Sequence, residues 1–78
     1  MTDKIKEAVA IMDEAYLEYA RAKEKDDKAA MTDALEKGCT AAIMSGDMLK
    51  TLSLHKANAP KLIAIRQEER LAGATGEV

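Results

Sequence analysis

Large aromatic side chains are almost missing from this sequence: among 78 residues there is no Phe, no Trp and only two Tyr. Apolar residues make up 47% of the chain, but fifteen of them are alanine. A chain of this length buries only about 60% of the surface that its unfolded form exposes, so one copy has little side-chain volume for a core. Because small helical chains with thin cores gain stability by associating, we expect a homodimer.

Cysteine and histidine each occur once, as Cys39 and His55. A single cysteine excludes an internal disulfide, and zinc sites need three or four His, Cys or carboxylate ligands. On one continuous helix the two residues would lie about 24 Å apart, too far for a nucleophilic pair. We therefore expect no catalytic residue, no metal and no cofactor, and we predict that the chain is not an enzyme.

Long apolar runs are also missing, because none approaches the roughly 18 to 20 residues that a membrane-spanning helix needs. Residues 1–4 lead directly into an amphipathic segment and do not have the pattern of a signal peptide. We expect a cytoplasmic protein with no membrane partner.

The charges are unevenly distributed along the chain, whose net charge is −2. Residues 1–39 are predominantly acidic, whereas residues 48–66 contain no acidic side chain. Duplex-binding proteins usually carry a surplus of Lys and Arg, so the net charge disfavours that class. The acid-free segment nevertheless supports an alternative function, a nucleic-acid-binding regulator. Its possible contact residues are Lys50, Lys56, Lys61 and Arg66.

Periodic apolar residues predict a first helix over residues 3–24, with Asp3 as a possible N-cap. Its apolar face covers roughly 180°, whereas one partner helix needs only about 100°. We therefore expect this helix to contact two neighbours. The main stripe consists of Ile5, Val9, Met12, Tyr16 and Tyr19.

The next segment supports two interpretations. Residues 25–27 form a short charged break, so the following helix should fold back antiparallel to the first. Its apolar positions keep a helical phase that favours one continuous helix over residues 28–56, whereas Ser45, Gly46 and Asp47 favour a break. We predict the continuous helix.

Asn58 and Pro60 predict a restart, with Asn58 as cap and Pro60 in the first turn of a shorter third helix over residues 59–71. The fold class is therefore all-α: an antiparallel helical hairpin with a shorter third C-terminal helix, assembled as a dimeric bundle. We expect a single domain over residues 1–72 and a flexible tail over residues 73–78.

Residues Ala34, Gly38 and Ala42 recur every four positions, so one helix face has almost no side-chain bulk. Such a face allows close approach of another helix. The approaching helix belongs either to the same chain or, in a homodimer, to a second copy.

The main apolar stripe of the second helix includes Leu35, Met48 and Leu52. Off this stripe lie Cys39, Ile43 and Leu54, which a third helix or a partner could cover. The two tyrosines can be buried with their hydroxyls at the surface, or can anchor an interface. The predicted protein interface consists of Tyr16, Tyr19, Ala34, Gly38, Cys39, Ala42, Ile43 and Leu54.

Together these features predict a non-enzymatic protein–protein interaction module that acts through helical apolar surfaces. A small adaptor, an inhibitor and a regulatory subunit all fit this description. Its expected partners are a second copy of the chain and another protein.

Overall fold

The computed structural model describes residues 3–76, with side chains described up to residue 73, and its three elements are all α-helices. Helix α1 spans Asp3–Glu24, α2 spans Lys28–Met44 and α3 spans Met48–Gly76. The all-α prediction and the bounds of the first helix are confirmed. The prediction of a shorter third helix is wrong, because α3 has 29 residues and is the longest of the three.

Backbone and side-chain hydrogen bonds in the turn between α1 and α2 cap the C-terminal end of α1 and the N-terminal end of α2. Asp26 adopts a left-handed φ of 55°, and its N–H and that of Asp27 donate to the carbonyls of Lys23 and Ala22. This is the pairing of a Schellman motif. The Asp27 carboxylate then accepts from the Ala30 N–H at 3.1 Å, as an N-cap does. The chain therefore reverses within three residues.

The turn between α2 and α3 is built by Ser45, Gly46 and Asp47. The Ser45 hydroxyl donates to the Ala42 carbonyl at 2.6 Å and accepts from the Asp47 N–H at 3.2 Å. Gly46 has a φ of +83°, which glycine adopts at little cost. Asp47 caps α3 by accepting from the Lys50 N–H at 3.1 Å. Local capping therefore ends α2 at Met44 and begins α3 at Met48.

The prediction of one helix over residues 28–56 is accordingly wrong, and the alternative break is confirmed. The apolar phase continues across the break, but its members in α3 are not buried: Met48, Leu49 and Leu52 are 45%, 81% and 41% exposed. Thr51 in the first turn of α3 is fully buried, and its hydroxyl donates to the Asp47 carbonyl at 2.8 Å.

Helix α3 continues through Pro60, so the predicted restart and the separate helix over residues 59–71 are wrong. A proline inside a helix removes one intrahelical hydrogen bond. Contacts with α1 hold the helix together on both sides of it: the Asn58 amide donates to Asp13 instead of capping a new helix, and Leu62 is buried.

Helix α1 packs against both other helices, as the width of its apolar face predicts. Ion pairs show that α3 runs parallel to α1, because Asp13 meets His55 and Glu24 meets Arg66. Helix α2 runs antiparallel to α1. Helices α2 and α3 barely contact each other.

The core is thin, because six of the nine buried apolar residues in the described part of the chain are alanine. The small-residue face of α2 packs within the chain: Ala34 and Ala42 are buried, and a Cβ on Gly38 would meet the Ala15 Cβ at 3.7 Å. The crossing at Gly38 is therefore intramolecular. The nine residues are Ile5, Ala8, Met12, Ala15, Ala22, Ala34, Ala41, Ala42 and Leu62.

The division into a domain over residues 1–72 and a flexible tail over residues 73–78 stays a prediction. The backbone of residues 73–76 belongs to α3, and residues 77–78 lie outside the described residues.

We expect a methyl group added at Gly38 and one added at Gly46 to have opposite effects on the free energy of unfolding. We expect Gly38→Ala to raise the free energy of unfolding by about 0.5–1 kcal/mol, because the site is helical and the new Cβ meets only Ala15 at an ordinary contact distance. We expect Gly46→Ala to lower it by about 1–2 kcal/mol, because an alanine there takes the left-handed conformation. Urea denaturation at one fixed protein concentration measures both, and two changes of the same sign contradict this account.

Candidate protein-binding groove

An open apolar groove of about 650 Å³ lies between α2 and α3, and α1 forms its floor. It exists because α2 and α3 both pack on α1 and diverge from each other. The lining residues are Met12, Ala15, Tyr16 and Tyr19 from α1, Ala34, Leu35, Gly38, Cys39, Ala42 and Ile43 from α2, and Met48, Leu52 and His55 from α3.

Seven of the eight residues predicted for the protein interface line this groove, and Leu54 is the exception. Leu54 is half-buried elsewhere on α3. Leu35, Met48 and Leu52 also line the groove, although their helical phase in the sequence assigns them to the hairpin core. The sequence signal that could have identified them is the alanine-rich face of α1, whose side chains are too small to cover three bulky residues.

The groove combines a floor of small residues with walls of large exposed ones. Ala15, Ala34 and Gly38 lie at its base, whereas Leu35 and Ile43 on one wall are 56% and 65% exposed. None of the lining residues is Asp, Glu, Lys or Arg. A surface of this kind binds apolar side chains and offers no partner to a buried charge.

Polar contacts at one end of the groove fix α3 against α1. The carboxylate oxygens of Asp13 lie 2.7 Å from His55 Nδ1 and 2.9 Å from Asn58 Nδ2. The Tyr16 ring meets the imidazole edge-on, with 6.2 Å between ring centres. Both oxygens of the Asp13 carboxylate thus contact side chains of α3. This arrangement gives Tyr16 and His55 fixed positions in the lining.

Cys39 and His55 both line the groove, although a continuous helix would hold them about 24 Å apart. Their predicted separation assumed one continuous helix, whereas the break at residues 45–47 turns α3 back toward α2. Within the described residues Cys39 is exposed and makes no hydrogen bond with the imidazole. The same part of the chain contains no group of three or more His, Cys, Asp or Glu residues that could hold a metal ion.

A second cleft of about 670 Å³ lies on the opposite edge of the α1–α2 pair. Its apolar residues Ile11 and Met44 are surrounded by charged side chains, including Glu7, Asp33 and Glu36. Nearby, Lys37 donates to Glu18 at 2.9 Å, which ties α2 to α1. The charged lining distinguishes this cleft from the apolar groove.

The four basic residues predicted for nucleic-acid contact do not form one surface. At about 100° per residue, Lys61 lies about 20° from Lys50 around α3, whereas Lys56 lies about 120° away. Arg66 is held in ion pairs with Glu24 and Glu69. Only Lys50 and Lys61 therefore share a face.

Arg66 belongs to an ion-pair cluster that joins the C-terminal parts of α1 and α3. Arg21 also binds Glu69 through two hydrogen bonds, and Arg70 approaches Glu24 at 3.8 Å. The hydrogen bond from Arg21, with help from Arg66, holds the pKa of the Glu69 carboxyl below its ordinary value. The same hydrogen bond raises the pKa of Arg21.

Comparison of the chain with protein-family models, with curated proteins and with solved structures gives no match. None of the helices in the described residues is long and apolar enough to cross a membrane.

The Glu69 cluster predicts a loss of stability in acid. Because folding lowers the pKa of Glu69, its contribution is present at neutral pH and is lost as the pH falls through the folded-state pKa. We expect Glu69→Gln to be less stable than the parent chain at neutral pH and to converge with it in acid. Urea denaturation between about pH 7 and pH 3 measures this difference. Glu68→Gln, at an exposed neighbouring position, is the control. An equal difference at both ends of the range contradicts the assignment.

Proposed function

We propose that this chain is a non-enzymatic protein–protein interaction module that works as a homodimer, with the apolar groove as its contact surface. The observation that carries the proposal is the groove itself, which has a volume of about 650 Å³, no Asp, Glu, Lys or Arg in its lining, and four large apolar side chains exposed in it. Those four are Leu35, Ile43, Met48 and Leu52.

The exposed area of the chain supports a second copy as the occupant. A compact monomer of 8.5 kDa exposes about 4,700 Å², whereas this chain exposes 5661 Å². The excess of about 1,000 Å² is close to the roughly 800 Å² that each partner buries in a standard protein interface. One interface of ordinary size therefore brings the exposed area per chain down to that of a compact protein.

The dimensions of the chain support the same conclusion. Its radius of gyration is 13.7 Å, whereas a compact domain of this length has about 11.5 Å. Its extents of 46 × 25 × 15 Å show that the chain is elongated. Most oligomers of small soluble proteins are two-fold homodimers, and obligate interfaces are apolar like this groove.

The proposed dimer acts on another protein as an adaptor, inhibitor or regulatory subunit. The charged cleft around Ile11 and Met44 stays accessible when the groove is covered, because it lies on the other edge of the α1–α2 pair. The alternative function, nucleic-acid binding, has weaker support, because its four basic residues are dispersed around α3 and Arg66 is engaged by carboxylates.

Light scattering coupled to size-exclusion chromatography tests the proposal. We expect the parent chain to have a mass of about 17 kDa, twice the 8.5 kDa of one copy. Ile43→Glu places an unpaired charge on the wall of the groove, and we expect it to weaken the dimer by about 100-fold or more. This variant should have the mass of one copy while its circular dichroism remains helical.

Met44→Glu is the matched control. It is the neighbouring residue on the same helix, it is similarly exposed, and it lines the charged cleft instead of the groove. It should leave the mass at that of two copies. A monomeric parent chain, or an equal loss of dimer in both variants, defeats the proposal.

A further inference from the structure

We propose that the element that fills the groove is α2 of the second copy, so that the two α2 helices meet antiparallel across a two-fold axis close to Cys39. This inference rests on the proposed homodimer and adds the contact surface and its register. In this arrangement each α2 lies between α2 and α3 of the other copy and above its α1.

The outer flank of α2 has the shape that such a contact needs. Leu35, Cys39 and Ile43 recur every four residues along the wall of the groove, so they form one stripe. The central residue is small, and the two outer residues are large and 56% and 65% exposed. In an antiparallel pair centred on Cys39, Leu35 of each copy faces Ile43 of the other. The stripe is therefore complementary to itself, as a two-fold interface requires.

The base of the groove provides space for the incoming helix. Alanine and glycine line it where α1 and α2 cross, so the large side chains of the second copy have room above the crossing. Insertion also covers Met48 and Leu52 on the facing wall, which are 45% and 41% exposed. One inserted helix thus contacts all three sides of the groove.

Charge favours α2 over α3 at the two-fold axis. The wall of α3 extends from Met48 through Leu52, and Lys56 lies about 40° from Leu52 around the helix. An antiparallel α3–α3 contact centred on Leu52 would place Lys56 of each copy opposite Met48 of the other, so a charged side chain would face an apolar one without an ionic partner. The centre of the α2 stripe is an uncharged thiol.

The proposed axis makes Cys39 a direct reporter of the contact. Helices pack about 8–10 Å apart, and their Cα atoms lie about 2.3 Å from each axis, so facing Cα atoms are about 3.5–5.5 Å apart. Disulfides form at Cα separations of about 4.4–6.8 Å. Two Cys39 residues at the axis are therefore within bonding range, whereas residues elsewhere on the surface are not.

Mild oxidation of the parent chain by air with a copper(II) complex tests the proposal. Two Cys39 thiols would each lose a proton and an electron to the oxidant and form one disulfide, which a non-reducing gel detects as a dimer. We expect nearly complete cross-linking of the parent chain. It should be at least about tenfold slower in Ile43→Glu, whose dimer is weakened.

The double variant Cys39→Ala, Lys56→Cys moves the thiol to the wall of α3, and we expect it to stay largely uncross-linked under the same conditions. Light scattering of the unoxidised samples separates the two claims. A parent chain that is dimeric by mass but is not cross-linked through Cys39 overturns the α2 contact and leaves the homodimer intact, as does rapid cross-linking at position 56. A monomeric parent chain overturns both.

Discussion

Helix α1 determines the packing of the whole chain, because it is the common neighbour of two helices that barely touch each other. Its contact with α2 is made by small residues, among them Ala15 against Gly38. Its contact with α3 depends on the Asp13 carboxylate, on the buried Leu62 and on the ion pairs around Glu69. Neither contact buries many large apolar side chains.

The open groove exists because the contacts between the helices are made largely by small residues. Close packing of alanine and glycine brings helices together but removes little apolar area from water, and the stabilisation from burial is roughly proportional to that area. The large apolar residues that a conventional core would contain, such as Leu35 and Ile43, consequently lie on the surface. A surface of that composition is costly to leave in contact with water, which is why we assign it to a protein contact.

The sequence alone predicts the helical class and the first helix, because these depend on apolar periodicity, and it names seven of the thirteen residues that line the groove. It fails at two positions, the break at Gly46 and the continuation of α3 through Pro60. At Gly46 a side-chain and backbone capping network overrides a continuous apolar phase, and at Pro60 contacts with α1 override the tendency of proline to end a helix. The joint position of Cys39 and His55 in the groove could not be predicted, because it depends on the chain reversal at residues 45–47.

We propose that one copy does not bury enough apolar surface and that a second copy completes the core. The most direct measurement is the urea midpoint of unfolding as a function of protein concentration. When unfolding is coupled to dissociation, each tenfold increase in concentration adds about 1.4 kcal/mol to the apparent stability and raises the midpoint by about 0.5–1 M urea. A midpoint that stays constant from about 1 to 100 μM would mean that folding of the chain does not depend on association. That result contradicts the account.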